Sequence, residues 1–216
     1  MADIFNEVDE ELRRERLKAF WQRYGGVVIG LALLIVIAVG GWRTSEWWEA
    51  KKAAEAGAVF EQAVTLASEG KYDEAEASFA RIASDNTAYR VFAKLRQAAE
   101  MARRDRDGAV KIYDEVVGQS GIGQPLQDLA RIRGGMLLLD TATLTEMRAR
   151  LAPAAEDGRV FRHSARETMA FAAWKASDAT AVKQWYNAIV ADPETPLGVR
   201  TRTEMLMALS TPAAGS

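Results

Sequence analysis

Tyr72-Asp73-Glu74-Ala75-Glu76-Ala77-Ser78-Phe79-Ala80-Arg81-Ile82 has a counterpart 34 residues further on, Arg106-Asp107-Gly108-Ala109-Val110-Lys111-Ile112-Tyr113-Asp114-Glu115-Val116. The offset carries Ala75 onto Ala109, Phe79 onto Tyr113 and Ile82 onto Val116. In each copy a small residue is followed one helical turn later by a ring and then by an aliphatic residue, so all three share one helix face. The alanine lets a neighbouring helix approach closely, and the ring fills the gap toward the next repeat. Ala181, Trp185 and Ala188, with Pro193 beyond them, return to the same small–aromatic–small spacing about two periods later. The pattern specifies repeated helix pairs.

A period of 34 with a helix–turn–helix unit is the tetratricopeptide signature, so the chain after Lys52 reads as an α-solenoid of that kind. Helices are predicted at about 43–68, 72–84, 87–103, 107–117, 125–139, 143–151, 160–175, 178–191 and 196–209. Gly70 marks the first turn, and Asp73 is the expected N-cap of the helix after it. Gly118–Pro125 reads as a loop. Asp192-Pro193 stops a helix, because proline cannot continue one and disfavours helix in the residue before it. The third repeat is degenerate: Leu144, Met147 and Leu151 keep an apolar face, but the small–aromatic pattern is lost. Met205, Leu206 and Leu209 are expected to cap the open end, with Thr211–Ser216 as a frayed tail. In such a stack the first helix of each pair lines the concave face. The register places Phe60 and Val64 there, joined by Lys94, Ala98 and Met101 from the second repeat, with Arg131 extending the surface in the third.

Upstream of the repeats no charged residue lies between Arg23 and Arg43, and Val27–Val39 holds ten Val, Ile and Leu side chains among alanine and glycine. The uncharged stretch is roughly 28 Å long at a helical rise, about one hydrocarbon core. Its aliphatic side chains favour insertion by roughly 3–6 kcal/mol. The expectation is a single transmembrane helix at 25–42. A cleaved signal peptide fits poorly, because the apolar run exceeds the usual ~7–15 residues and Arg43–Lys52 offers no small-x-small cleavage site. Arg13, Arg14, Arg16, Lys18 and Arg23 precede the run, whereas only Arg43, Lys51 and Lys52 follow closely. That bias places the N-terminus in the cytoplasm and residues 43–216 across the membrane, which in a bacterium is the periplasm. Tyr24 marks one interface; Trp42, Trp47 and Trp48 mark the other. Gly26 and Gly30 form a GxxxG pair through which a partner helix would approach. Residues 1–24 read as a cytoplasmic amphipathic segment, with Phe5, Val8, Leu12, Leu17, Phe20 and Tyr24 at helical spacing.

The remaining composition is informative by exclusion. A formal net charge of -2 gives no global basic field for nucleic acid. With no cysteine there is no thiolate catalysis, disulfide or Cys-ligated metal. The single histidine, His163, lies between Arg162 and Arg166, which lower its basicity, and reads as a surface or packing residue. Walker-type and dinucleotide glycine loops are absent. The expectation is a non-catalytic protein without cofactor, metal, nucleic acid or small-molecule substrate.

Taken in order, the chain has an acidic–basic amphipathic N-terminus and a glycine-rich span ending Gly41-Trp42-Arg43. An Ala/Glu-rich helix then leads to Ser68-Glu69-Gly70-Lys71 and to degenerate tetratricopeptide repeats. Over essentially its whole length it resembles the YfgM-like ancillary subunits of the bacterial Sec translocon. The resemblance implies a bacterial inner-membrane protein whose periplasmic repeat domain meets translocon subunits and periplasmic chaperones or exported proteins. A membrane-tethered assembly factor for another envelope complex, such as a cytochrome maturation system, is the alternative. The two differ only in partner.

Overall fold

The computed structural model describes residues 2–85 and 87–210, except for the side chains of residues 2–13 and 15. The expected face of Phe5, Val8 and Leu12 and the tail Thr211–Ser216 therefore lie outside the described residues. Among the described residues there are nine helices and no strand: α1 (Ala2–Ser68), α2 (Tyr72–Ser84), α3 (Arg90–Met101), α4 (Arg106–Gly118), α5 (Gln124–Leu138), α6 (Leu144–Ala155), α7 (Arg162–Lys175), α8 (Ala179–Ala191) and α9 (Leu197–Ser210). The expected boundaries hold to within about three residues, with two differences. α6 runs four residues past its expected end at 151, to Ala155, with Pro153 inside it. The helix expected to begin at residue 43 is the continuation of α1. The chain divides into two compact units, Met1–Ala54 and Glu55–Ser216.

In the first unit the apolar run has nothing to pack on. Leu33, Leu34, Ile35, Val36 and Ile37 are consecutive, so they point all round the helix, and each is more than half exposed, from 53% to 72%. A core helix of a soluble protein buries at least one stripe. Among the described residues α1 is the one helix long and apolar enough to cross a membrane.

The second unit is a stack of helix pairs. The end of α1 with α2, then α3–α4, α5–α6 and α7–α8 form the pairs, and α9 follows. Consecutive helices pack, and first helices also meet across pairs, α5 against α7 and α7 against α9. The spacing read from the sequence is the packing: Ala75, Phe79, Ala109, Tyr113 and Ala181 are all buried. The Phe79 ring meets Phe60 edge-on with centroids 5.2 Å apart, and Trp185 packs between the third and fourth pairs.

The turns follow from local chemistry. Gly70 adopts φ +81°, the left-handed conformation that an L side chain rarely takes. There the Lys71 N–H donates to Leu66 O at 2.9 Å and the Gly70 N–H to Ala67 O at 3.2 Å, satisfying the last carbonyls of α1. The expected cap at Asp73 is corrected: Lys71 occupies the cap position without a side-chain bond, and Asp73 lies inside the first turn. The equivalent turn before α4 does have a capping carboxylate. The Gly108 N–H donates to Asp105 Oδ1 at 2.8 Å. Asp178 caps α8 in the same manner, and Thr143 with Glu146 forms a reciprocal capping box on α6.

The third pair keeps the geometry by a different arrangement. On α6 the small and aromatic positions are taken by Met147 and Leu151, both buried. The space comes from α5. A Cβ on Gly135 would lie 3.1 Å from Leu151 Cδ2, and one on Gly134 only 2.8 Å from Arg150 Nη1 and 3.4 Å from Tyr113 Cβ. The apparent degeneracy is thus a transfer of the small residue from the second helix to the first. At the other end α9 closes the stack through Val199, Thr203 and Leu206. Met205 and Leu209, expected in that contact, point outward and are 56% and 70% exposed.

Candidate partner-binding site

Gly26 and Gly30 lie in the first unit, where a Cβ at either would meet nothing within 4 Å. Their helix face is open to close approach by another helix.

The residues assigned to the concave surface fare differently. Ala98 is fully buried against Ala109, Tyr113, Val116 and Ala130. Phe60 is sandwiched between Phe79 and Tyr89, with ring centroids 5.2 and 5.5 Å away. Val64 packs on Ala63, Ala75 and Phe79, and Met101 packs against the cluster around Tyr113. The Lys94 side chain is 16% exposed, and its Nζ lies 2.6 Å from Glu115 Oε2 on α4. These positions join first helices to second helices. A 34-residue register identifies equivalent positions without saying which side of the helix is open.

The open side of the first helices carries other residues: Gln62 and Thr65 on α1, Phe92 and Ala99 on α3, Arg133 and Met136 on α5, and Trp174 on α7. Phe92 was legible. Val91, Leu95, Ala98 and Ala102 define the inward stripe of α3 at helical spacing, and Phe92 lies off it. Arg131 lines an open pocket of about 570 Å³ between α4, α5 and α6.

The densest polar cluster belongs to the fourth pair. Arg162 donates from Nε to Asp192 Oδ2 at 2.7 Å and reaches Glu194 as well. Buried Arg166 donates to the Ala155 carbonyl at 3.0 Å, to Asp192 Oδ2 at 3.2 Å and to Asp157. Hydrogen bonds from Arg162 hold the Asp192 carboxyl far below the usual carboxylate range. His163, Asp192 and Glu194 bring ligand-type atoms within 4.8 Å of one another. However, both carboxylates are already held by Arg162, and His163 Nδ1 pairs with Thr195 Oγ1 at 3.0 Å. The cluster fastens the α6–α7 and α8–α9 turns to α7. The basicity of His163 is lowered as expected, although burial contributes more than Arg162 does.

A family described as tetratricopeptide repeat-like domain matches residues 18–192. No curated protein and no solved structure matches the chain significantly.

Proposed function

The chain belongs to the tetratricopeptide repeat-like family, and from that premise we propose that it is a membrane-tethered protein-interaction module of the bacterial inner membrane. Repeat stacks of this family point to binding of other proteins. The observation that carries the membrane part is the apolar run of α1, whose side chains are exposed on every side of the helix. A bilayer is the environment that removes such a surface from water. The family match begins at residue 18, upstream of that run, so run and repeats belong to one family pattern. Cations concentrated before the run favour a cytoplasmic N-terminus and a periplasmic domain from about residue 43.

The proposed partners are subunits of the Sec translocon, reached in the membrane through the Gly26/Gly30 face, and chaperones or exported proteins, reached through the solenoid. The exposed side of the first helices, mixing Phe92, Met136 and Trp174 with Arg133, suits extended or partly folded segments. Cross-linking of the full-length protein in native membranes, followed by mass spectrometry, tests this reading. Translocon subunits and exported proteins are the expected products. Consistent capture of a cytochrome-maturation complex instead would replace the translocon assignment. A reporter active only after export, fused after Ser216, should be active; activity of a cytoplasmic reporter there would overturn the orientation.

A further inference from the structure

The two ends of the apolar run of α1 differ in how their charges are met. After the run, Arg43 pairs with Glu46 at 3.6 Å, and Lys51 and Lys52 lie over the Trp47 and Trp48 rings. Glu46, Glu49 and Glu55 are interleaved with these cations. Before the run the cations are Arg16, Lys18 and Arg23, all exposed. None of the three has a carboxylate partner among the described side chains. The acids of the N-terminal segment all precede Arg16, and the next acid in the chain is Glu46. The part of the segment that borders the run therefore carries positive charge only.

The three cations also surround the helix. At about 100° per residue, Arg23 falls about 20° from Arg16, whereas Lys18 falls about 160° away on the opposite side. A partner helix covers one side of α1, but a lipid layer meets every side. Arg23 lies roughly 3 Å outside Gly25, Lys18 roughly 10 Å and Arg16 roughly 13 Å, against a headgroup layer roughly 5–8 Å deep. Arg23 is thus within that layer, and the other two lie within about one Debye length of its outer edge.

Aromatic side chains occupy the level below. The Trp21 ring lies along the helix over Gly25, where a Cβ would be 3.5 Å from the indole Nε1. Gly25 is the one buried residue from 16 to 52, while Trp21 itself stays 56% exposed. Phe20 and Tyr24 pack with ring centroids 5.1 Å apart, and the Arg23 guanidinium lies 5.8 Å from the Tyr24 centroid. Rings with an apolar body and a polar tip suit the boundary between acyl chains and headgroups.

We propose that this end of α1 binds acidic phospholipids, their phosphates held by Arg16, Lys18 and Arg23 and their ester region by Trp21 and Tyr24. The inference rests on the reading that α1 spans the membrane, and it names the lipids that surround one end of the span. Phosphate offers oxygens for charge-assisted hydrogen bonds from guanidinium and ammonium, and each cation near an acidic lipid surface favours association about fivefold.

The test uses the full-length protein in vesicles of phosphatidylcholine with a minority of phosphatidylglycerol in both leaflets. Bromine on the acyl chains quenches tryptophan on contact, so brominating one lipid at a time reports which of them lies beside Trp21. At equal mole fraction, brominated phosphatidylglycerol should quench at least about twofold more than brominated phosphatidylcholine. High salt should weaken that preference in the unaltered chain. Combined Arg16→Gln, Lys18→Gln and Arg23→Gln should abolish it, with quenching in a fully brominated bilayer unchanged. Trp21→Phe should remove most of the difference, because the other interfacial tryptophans lie at the opposite end of the run.

Equal quenching by the two lipids, indifference to salt, or a preference that survives the triple substitution or Trp21→Phe would overturn the proposal. Equal quenching, with a membrane cross-link lost in the triple variant, would overturn it by giving these cations to a protein partner. If a fully brominated bilayer leaves the tryptophans unquenched, the membrane reading falls as well. If it quenches them without preference, the lipid site falls and the span stands.

Discussion

The first and third helix pairs reach the same packing by opposite distributions of size. In the first, buried Ala75 and Phe79 share a face of the second helix, and Phe60 on the first helix meets the ring. In the third, the second helix carries Met147 and Leu151, while Gly134 and Gly135 on the first helix provide the room. Helix pairs of this kind require that small meet large across the interface, and the choice of which helix is small remains open. A motif defined on one helix records only half of that rule.

The contrast is most strongly tested at its aromatic end. Phe79→Ala should remove about 3–5 kcal/mol of stability, because the ring is fully buried and the rigid helices around it close the void poorly. Urea titration of the full-length protein in detergent, followed by helical circular dichroism, measures this. A loss under about 1 kcal/mol would mean that the first pair is not held by its ring.

A smaller effect is expected where the size distribution is reversed. Gly135→Leu should cost about 1–3 kcal/mol by driving a side chain into Leu151, even though leucine is the better helix former. Adding Leu151→Ala removes the side chain for which Gly135 makes room and so returns space to the new leucine. The double variant should recover part of the loss. Additive costs in the same titration would show that the two positions do not exchange roles.

The smallest effect separates the first pair from the second at their turns. Asp105→Ala should cost about 1 kcal/mol, since its carboxylate accepts the Gly108 N–H. Asp73→Ala, which removes a first-turn charge and an exposed ion pair with Arg104, should cost no more than about 0.5 kcal/mol. Equal losses would show that Asp73 acts as a cap in solution.

Much of this architecture was readable from residue types alone. Ala75, Phe79, Ala109 and Tyr113 repeat because the same helix contact repeats, and Gly70 lies at a turn that needs a positive φ. The third pair escaped for a definite reason. α4 begins at Arg106 and α6 at Leu144, so the period lengthens beyond 34 just where the small residue changes helix. The binding surface was less legible still. Phe60 with Lys94 and Val64 with Ala98 are equivalent positions, and equivalence is a property of register. Whether they face a neighbour or solvent depends on where the second helix lies, as the burial of Ala98 beside Tyr113 shows. Arg131 was picked out by extending the same register, yet what sets it apart is the open pocket beside it, which register does not report.

The glycines of α5 also constrain how this array can change over generations. Solenoids diversify by duplication and by unequal crossing-over between repeats, and both are harmless when every unit is interchangeable. A crossover in the turn between α5 and α6 would join halves with mismatched relief. A first helix of the α3 type brought against α6 would lose the room that Gly135 gives to Leu151, whereas α5 brought against a helix of the α2 type would set that glycine opposite a phenylalanine ring instead of a leucine. Either hybrid should be less stable than the parent arrangement. Whole pairs remain exchangeable, but the seam within the third is closed to recombination, and lineages should vary in repeat number on either side of it while inheriting α5 and α6 together.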